Sequence, residues 1–353
     1  MSENRFFLDI HAIQTLPPSN VNRDDTGSPK TAIYGGVRRA RVSSQAWKRA
    51  MRQYFLSESA QDLGVRSKDV VRYVANRIMA ADSSVTAEKA MQMADKVFNG
   101  AGITTKAQHT QALFFLGKKQ ADRAAEAAIR GESDKGVLKQ IFCENPDIDV
   151  ALFGRMVANN PSLNEDASAQ VAHAISTHEV QTEFDYYTAV DDLAPEDNAG
   201  AGMLGTIEYN SSTLYRYANI AVHELIRQLG DKKQTIDAVK LFIAAFADSM
   251  PTGKSNTFAN QTLPQMLMIN IRQDRPVNLV TAYENPVKSG HGNVAPSIQR
   301  LFEELKKTEK FVKPPVKTLY VADEDIMKPE CAIEEDSLPD LLNDFEKIAE
   351  NLL

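Results

Sequence analysis

The spacing of apolar residues near the N-terminus predicts a β-strand followed by a long loop. Between Arg5 and Ile13, one face of an extended chain would hold only apolar residues, while the other would carry polar groups such as Asp9 and His11. A period of two is the pattern of a strand. The polar stretch from Thr15 to Lys30 predicts a loop, and loops of this length in folded domains are often functional.

The segment from Val42 to Arg52 predicts a helix with two chemically different faces. One face is apolar and consists of Ala46, Trp47, Ala50, Met51 and, one turn later, Tyr54. The other face places polar and basic residues at positions i, i+3, i+4 and i+7, namely Gln45, Lys48, Arg49 and Arg52. Ser43 or Ser44 could cap the start of the helix, where unpaired backbone N–H groups and the helix dipole attract anions.

Charge is distributed unevenly along the chain. Its 353 residues carry a formal net charge of −7, yet Thr26 to Ser57 contains seven lysines and arginines and no acidic residue. A solvated basic face usually mixes both signs, so this segment favours binding of an anion such as a phosphate chain. By contrast, Tyr320 to Leu353 holds eleven acidic residues and two lysines. This acidic tail could cover its own domain, pack on another copy or mask the basic surface.

Periodicity further along the chain predicts a helical block and then a return to strands. Helical spacing is found in Ser67–Ala80, Ala87–Phe98, Gln108–Leu116 and Ala121–Arg130. Later strands are predicted at Val171–Val180, Thr213–Ile220 and Pro264–Ile271, and later helices at Thr235–Ala247 and Ser337–Leu352. The small, flexible stretch from Asp197 to Gly205 predicts the tip of a hairpin. Without the helical block, the order β-α-β-β-α-β is that of ferredoxin-like domains and RNA-recognition modules.

Composition excludes several classes of protein. No apolar run is long enough to span a membrane, and the first residues do not have the pattern of a signal peptide. Cys143 and Cys331 are too few for a disulfide framework or a zinc quartet. We therefore expect a cytoplasmic protein with no membrane partner, no metal and no other cofactor.

Three motifs suggest catalytic or metal chemistry only weakly. Met250–Ser255 contains Gly-Lys-Ser, but position 248 is an aspartate where an ATP-binding Walker A motif needs a glycine. His173 and His178 lack the His-Glu-x-x-His order of a zinc protease. Aspartates at positions 24, 25, 185, 191 and 192 could form a two-metal nuclease site. They could equally order their loops by accepting hydrogen bonds from backbone N–H groups.

Several longer motifs resemble the CasC family, the repeated backbone subunit of the type I-E CRISPR Cascade complex. The N-terminal motifs are Asn22–Asp25, Ala32–Gly36, Arg38–Arg39, Arg41–Gln45 and Lys48–Arg52. Further motifs follow in the family's order, namely Gly154–Met156, Ala172–His178, Thr188–Leu193 and Tyr215–Ile220. The helical block and the acidic tail resemble the family least.

The resemblance implies an α+β fold with a ferredoxin-like (RRM-like) palm, inserted helical fingers and a β-hairpin thumb. The palm would comprise residues 1–57, 169–191 and 215–353, the fingers 58–168 and the thumb 192–214. The family stacks along CRISPR RNA without cleaving it, so the implied partners are CRISPR RNA, a target DNA strand, further copies and other Cascade subunits. The alternative is a metal-dependent ribonuclease that uses Asp24 or Asp25, as related subunits of type III complexes use a loop aspartate.

The resemblance also implies which residues contact RNA. The RNA backbone would meet the basic helix and its surroundings, namely Arg23, Arg38, Arg41, Ser43, Gln45, Lys48, Arg49 and Arg52. Met203 and Leu204 near the thumb tip, and Met156 on the fingers, would contact displaced bases. Lys254, in a loop of small residues, would add a further RNA contact. Lys135 and Lys139 are approximate candidates for contacts with target DNA.

Overall fold

Most strands in the described part of the chain join one ten-stranded sheet. The computed structural model describes residues 5–58, 63–157, 159–189, 192–193, 203–323 and 332–353. In these ranges the strands are β1 (Phe7–Ser19), β2 (Thr31–Tyr34), β3 (Val37–Val42), β4 (Val65–Ser67), β5 (Thr105–Lys106), β6 (His109–Thr110), β7 (Phe114–Leu116), β8 (Ala169–Val171), β9 (Ala174–Ser176), β10 (Glu183–Ala189), β11 (Met203–Ala221), β12 (Met266–Arg272), β13 (Lys317–Ala322) and β14 (Ile333–Glu334).

Helices are distributed between the helical block and the two faces of the sheet. They are α1 (Ser44–Glu58), α2 (Val70–Ala81), α3 (Ala87–Gly100), α4 (Lys118–Arg130), α5 (Lys135–Cys143), α6 (Ile148–Phe153), α7 (Val222–Leu229), α8 (Lys232–Asp248), α9 (Ser255–Phe258), α10 (Val294–Thr308) and α11 (Leu338–Leu352). The mixed α+β class expected from the sequence is confirmed. Within the described ranges, no helix combines the length and the apolar character that crossing a membrane requires.

β1 lies near the middle of the sheet because a long strand pairs with it on each side. β11 and β12 both run antiparallel to β1, so that Ile10 lies opposite Ala218 on one side and Ile269 on the other. The sheet has the order β14-β13-β12-β1-β11-β9-β3-β2, and β8 and β10 also pair with β11. β14 and β2 are therefore the edge strands of this order.

Helices cover both faces of the sheet, so β1 is buried on both sides. The residues of β1 that face the larger core, formed with α1, α7, α8 and α11, are Leu8, Ile10 and Ala12. Ile13 faces a second core, formed with α10. Asp9 and His11 share this second side, where they are fully buried and hydrogen-bonded. The alternation that predicts the strand thus separates two cores rather than a core and solvent.

The helical block has a hydrophobic core of its own. Residues of α2, α3, α4 and α5 form it, and the rings of Phe98 and Phe142 lie 5.1 Å apart at its centre. Three of the four helices predicted in this block are present, with ends shifted by a few residues. The sequence patterns do not predict five of the helices in the described ranges, namely α5, α6, α7, α9 and α10.

The helix predicted at Gln108–Leu116 is wrong, since this segment contains β6 and β7. Ala107 and Gln108 have positive φ angles of 50° and 61°, which reverse the chain between β5 and β6. β7 then pairs with β4, with Leu116 opposite Val65. All three residues of β7 are buried, and a short buried run of this kind fits a strand as well as a helix.

All four predicted strands have different bounds in the structure. β1 continues to Ser19, although the sequence predicts a loop from Thr15. Polar residues in the later part of β1 stay in the sheet because groups distant in the sequence form hydrogen bonds with their side chains. For example, the Gln14 amide donates to the Thr262 carbonyl at 2.7 Å. The strand predicted at Val171–Val180 is divided into β8 and β9, both of which pair with β11.

β10 and the first part of β11 form an antiparallel hairpin, which confirms the hairpin predicted from the sequence. Ala189 lies opposite Met203 at the last described pair. Of the predicted tip, Asp197–Gly205, residues 197–202 lie outside the described residues, as does the side chain of Met203. β11 continues to Ala221, so the hairpin extends directly from a strand next to the middle of the sheet.

Candidate nucleic-acid interface

The loop after β1 fixes the position of the N-terminus of α1. Of the two serines predicted as caps, Ser43 takes this role, since its hydroxyl accepts a hydrogen bond from Ala46 N at 3.4 Å. Ser44 is the first helical residue. Asn22 Oδ1 accepts a hydrogen bond from Ser43 N at 2.9 Å, which ties the loop to the start of the helix.

The apolar face of α1 anchors the helix in the core. Its buried residues are Trp47, Ala50, Met51 and Phe55. Tyr54 is only partly buried, and its hydroxyl donates to Asp248 of α8 at 3.2 Å. Burial of the apolar face directs the predicted basic face outward.

The polar face of α1 separates two open clefts. The first, of about 980 Å³, lies between α1 and the helical block, and its far wall includes Arg66, Leu113 and Met156. The second, of about 700 Å³, lies between α1, the loop at Val21–Arg23 and the loop at 249–254. Three residues of α1 line both clefts, namely Gln45, Arg49 and Gln53. A ligand that passed from one cleft to the other would therefore cross these side chains.

The residues of the basic face differ in exposure. Gln45 and Arg49 are exposed. Lys48 is half-buried, with Nζ 5.6 Å from the centre of the Phe153 ring, and burial lowers the pKa of Lys48 below its usual value. Lys48 lines only the first cleft, whereas Arg49 reaches both.

Arg52 has an acidic partner, although the sequence predicts an unpaired basic face. Arg52 Nε lies 3.1 Å from Asp149 Oδ2, and NH2 donates to the Gly64 carbonyl at 3.0 Å. The other carboxylate oxygen of Asp149, which is buried, accepts a hydrogen bond from Gly64 N at 2.8 Å. Arg52 therefore joins α1 to the base of the helical block, through a residue 97 positions away in the sequence.

Arg23 and Lys254 line the second cleft together. Their two loops are in close contact, because a Cβ atom on Gly253 would lie only 2.2 Å from the Val21 carbonyl oxygen. Lys254 has a left-handed backbone, with φ of 53°, at the start of α9. The Gly-Lys-Ser sequence follows α8, whereas the Walker A loop follows a strand.

The arginines of β3 lie apart from the two clefts. Arg38 is exposed, and no hydrogen bond of its side chain is found among the described residues. Arg39 is buried and donates to four backbone carbonyls, those of Tyr34, Ser176, Tyr283 and Glu284. Arg41 Nε donates to the Thr31 carbonyl at 3.2 Å, and NH1 lies 3.1 Å from His173 Nδ1. Arg38 and Arg41 line neither cleft.

Met156 projects from a rigid support into the first cleft. Its side chain is 77% exposed. The preceding residue, Arg155, is buried and donates to the carbonyls of Leu163 and Phe115 at 3.0 and 3.2 Å. This anchoring holds Met156 across the cleft from the basic face of α1.

The β10–β11 hairpin exposes large apolar side chains. Leu204 is 59% exposed, and Phe184 and Tyr186 on β10 are more exposed still. All three lie on one face of the hairpin, since Leu204 pairs with Thr188, two residues beyond Tyr186. At the base of the hairpin, the Tyr209 ring lies 5.9 Å from that of Phe258 in α9.

Asp24 orders its own loop. Asp24 Oδ1 accepts hydrogen bonds from Thr26 N, the Thr26 hydroxyl and Ser28 N at 2.9, 2.7 and 3.1 Å, and these bonds lower its pKa. His178 accepts a hydrogen bond from Thr213 N at 3.0 Å. In the part of the chain that the structure describes, no group of three or more His, Cys, Asp or Glu side chains could hold a metal ion.

Several cleft residues were not predicted from the sequence. They are Gln53, Arg66, Leu113, Phe115 and Phe153. Of these, Gln53 continues the polar face of α1 and was accessible to the periodicity argument, whereas the others reach the cleft only through folding of the helical block. Lys135 and Lys139 lie on α5 and line neither cleft.

Comparison with known proteins places this architecture in one family. The model of the CT1975-like protein family matches residues 8–344. A chain of a CRISPR RNA-guided surveillance complex, pre-nicking, is 32% identical; the match covers 97% of this chain and all of the other, with a TM-score of 0.86. A chain of another CRISPR RNA-guided surveillance complex is 29% identical over 97% and 99% of the two chains, with a TM-score of 0.76.

No curated protein matches the sequence. The match over nearly the whole length, together with the shared fold, confirms the resemblance that the sequence motifs indicate. The chain belongs to the CT1975-like protein family.

Proposed function

We propose that this chain is a non-enzymatic RNA-binding scaffold of a Cascade-type surveillance complex of type I-E, whose copies lie side by side along CRISPR RNA. The observation that carries the proposal is the position of α1 between two clefts. Gln45, Arg49 and Gln53 line both clefts, so a single RNA strand could cross the helix and remain in contact with it. The solved structures that share the fold are chains of CRISPR RNA-guided complexes.

The proposed path follows the charges on the two cleft walls. Phosphates would lie over Arg49 and near the capped start of α1, with Lys48 on one side and Arg23 and Lys254 on the other. Met156 would meet a base in the first cleft, since apolar side chains can separate stacked bases. In this arrangement the protein contacts the RNA backbone, and base pairing provides the sequence specificity.

The proposal includes partners and location. Further copies, other Cascade subunits and a target DNA strand would share the RNA, in the cytoplasm. Cleavage of RNA is not part of the proposed function, because the Asp24 carboxylate accepts hydrogen bonds within its own loop. Bound RNA should therefore remain intact when Mg²⁺ or Mn²⁺ is added. Metal-dependent cleavage that Asp24→Ala or Asp25→Ala abolishes would establish the ribonuclease alternative instead.

The direct test is the salt dependence of RNA binding. Arg49→Ala should weaken binding of single-stranded RNA of any sequence and reduce the slope of log K against log salt by about 0.7, the contribution of one phosphate contact. Lys89→Ala removes an exposed charge from α3 and serves as the control. If Arg49→Ala and Lys89→Ala gave the same affinity and slope as the wild type, α1 would not be the RNA-binding element.

A further inference from the structure

The walls of the second cleft come from parts of the chain that are far apart in the sequence. One wall is the polar face of α1, which includes Arg49, and the other consists of the loop at 249–254, which includes Lys254, and the loop at Val21–Arg23. The separation of Arg49 and Lys254 therefore depends on what the two walls rest on. One side chain is connected to both walls, that of Arg216 on β11, which is 1% exposed.

Arg216 supports α1 through Trp47. The guanidinium carbon of Arg216 lies 3.7 Å from the centre of the Trp47 ring. Trp47 and Arg49 are two positions apart in the helix, so their side chains point to opposite sides of it. The position of Arg49 over the second cleft thus depends on how α1 packs against Arg216.

Arg216 supports the other wall at the end of α8. Its guanidinium donates to the Phe246 carbonyl, in the last turn of that helix. Carbonyl groups in the last turn lack a partner within the helix, and a basic side chain can satisfy them. The bond therefore fixes the point from which the chain leaves α8 and enters the loop at 249–254.

A second connection to the same wall runs through Gln14 of β1. Arg216 NH1 donates to Gln14 Oε1. Because a guanidinium has donors only, Gln14 must turn its oxygen toward Arg216 and its NH2 group toward the loop. That NH2 group donates to the Thr262 carbonyl at 2.7 Å and to Met250 Sδ at 3.1 Å. Met250 and Thr262 flank the segment that carries Lys254, so both ends of this segment are bound to Gln14.

An apolar side chain could fill the space of Arg216, but it could not form these hydrogen bonds. Burial of a charge is costly unless it is paired, and no ion pair of Arg216 is found among the described residues. A buried polar group of this kind can select one arrangement of the segments around it. Here the segments are α1, the end of α8 and the loop that carries Lys254.

We propose that Arg216 is a positioning residue for RNA binding. It sets the separation of the two walls of the second cleft and thereby places Lys254 where it reaches the same RNA strand as Arg49. This inference rests on the proposed function, in which the strand crosses α1 from one cleft to the other.

Coupling between Arg216 and Lys254 tests the inference on a short RNA that accommodates one copy. Lys254→Ala should reduce the slope of log K against log salt by about 0.7, the contribution of one phosphate contact. Arg216→Met should displace Lys254, so it should reduce the slope by the same amount and the affinity by about tenfold. Lys254→Ala should then have no further effect in the Arg216→Met background. Lys48→Ala, in the first cleft, should have its full effect in both backgrounds.

Two further variants separate positioning from a general loss of stability. Gln14→Glu keeps an acceptor for Arg216 but removes the donor to the loop, so it should reduce the slope while Arg216 stays in place. Arg272→Met removes another buried arginine, whose bonds go to Asp274 and to the carbonyls of residues 275 and 313. None of these residues lines either cleft, so Arg272→Met should leave the slope unchanged. Circular dichroism would establish that each variant is folded.

The outcomes distinguish this inference from the proposed function. Additive losses for Arg216→Met and Lys254→Ala would overturn the positioning role, as would a slope that Arg216→Met and Gln14→Glu leave unchanged. The same holds if Arg272→Met changes the slope as much as Arg216→Met does. In these cases the proposed function stands as long as Arg49→Ala still reduces the slope. If Arg49→Ala and Lys254→Ala both leave the slope unchanged, RNA does not cross α1, and the proposed function itself fails.

Discussion

At the scale of single residues, Arg216 lies in the core, and no acidic partner is found for it among the described residues. Its guanidinium carbon is 3.7 Å from the centre of the Trp47 ring and 4.3 Å from that of Phe246, and its NH groups donate to Gln14 and to the Phe246 carbonyl. Burial lowers the pKa of Arg216 to about 9. The two ring faces and the hydrogen bonds offset part of the cost of burying the charge, so Arg216 links β11 to α1 and α8.

Replacing Trp47 with alanine should lower the free energy of unfolding by about 3–5 kcal/mol. Trp47 is 1% exposed, so the change opens a cavity and removes one of the rings that contact Arg216. Chemical denaturation would measure the loss, and Trp47→Phe, which keeps an aromatic ring, should lose less. If Trp47→Ala lowered the free energy of unfolding as little as an exposed substitution such as Lys89→Ala, this role of Trp47 would be contradicted.

Asp9 and His11 on β1 make opposite contributions to the pH dependence of stability. Burial raises the pKa of Asp9 from 3.8 to about 7, so its contribution is fully present below pH 3.8 and is lost as the pH rises to 7. Burial lowers the pKa of His11 from 6.5 to about 3, so its contribution is present above pH 6.5 and is lost as the pH falls to 3. Between pH 4 and 6.5, the loss of stability with rising pH that comes from Asp9 cancels the gain in stability that comes from His11.

Asp9→Asn should therefore make stability rise with pH relative to the wild type. Because asparagine does not titrate, only the contribution of His11 remains. The free energy of unfolding then rises by about 1.4 kcal/mol per pH unit. Denaturation of both proteins between pH 4.5 and 6.5 would measure the difference, and other titrating groups are common to both. A difference in unfolding free energy that does not change with pH would show that Asp9 is ionised in the folded protein.

At the scale of elements, the β10–β11 hairpin keeps an apolar face in solvent. Phe184, Tyr186 and Leu204 project from the same side, and an exposed apolar face of this kind is typical of a surface that another molecule covers. Tyr187 supports the other side, where it lies against Gly205 so closely that a Cβ atom there would be 2.4 Å from the Tyr187 hydroxyl. The hairpin is thus built to present one face.

Leu204→Ser should change how bound RNA is arranged without changing the stability of the protein, because Leu204 is 59% exposed. Chemical probing of RNA bound to the wild type should show reactive nucleotides at regular intervals. Leu204→Ser should show a flatter pattern of reactivity. The double variant Met203→Ser with Leu204→Ser should show a flatter pattern as well. Ile33→Ser on β2, where the side chain is 72% exposed, is the control. If only Met156→Ser flattens the pattern, the base is displaced by the fingers side and not by the hairpin.

At the scale of the whole molecule, repeated copies should add along RNA one at a time. The mass of the complex should rise in equal steps as the RNA is lengthened, because in the proposed function each copy would bind through its own clefts beside α1. Native mass spectrometry across a series of RNA lengths would measure these steps. A complex of constant size on every RNA would exclude assembly along the strand.

The elements that could be predicted from the chain are those whose residues meet their partners locally. The period of two gave β1, and the helical period gave the two faces of α1, because residues three and four apart share one side of a helix. Ser43 as a cap, the hairpin arms and the terminal helix are likewise properties of neighbouring residues. The motifs also identified the family.

Which residues share a site depends on packing between distant segments of the chain. Arg52 looks free in the sequence, yet Asp149 pairs with it from 97 residues away. The strand β7 forms because Val65 and its neighbours supply a partner, so the local pattern at 114–116 could not distinguish strand from helix. Arg66 and Met156 face α1 across a cleft that exists only once the helical block has packed. Long-range pairing depends on burial and hydrogen bonding between distant segments. The spacing of apolar residues within one segment therefore does not predict its partner.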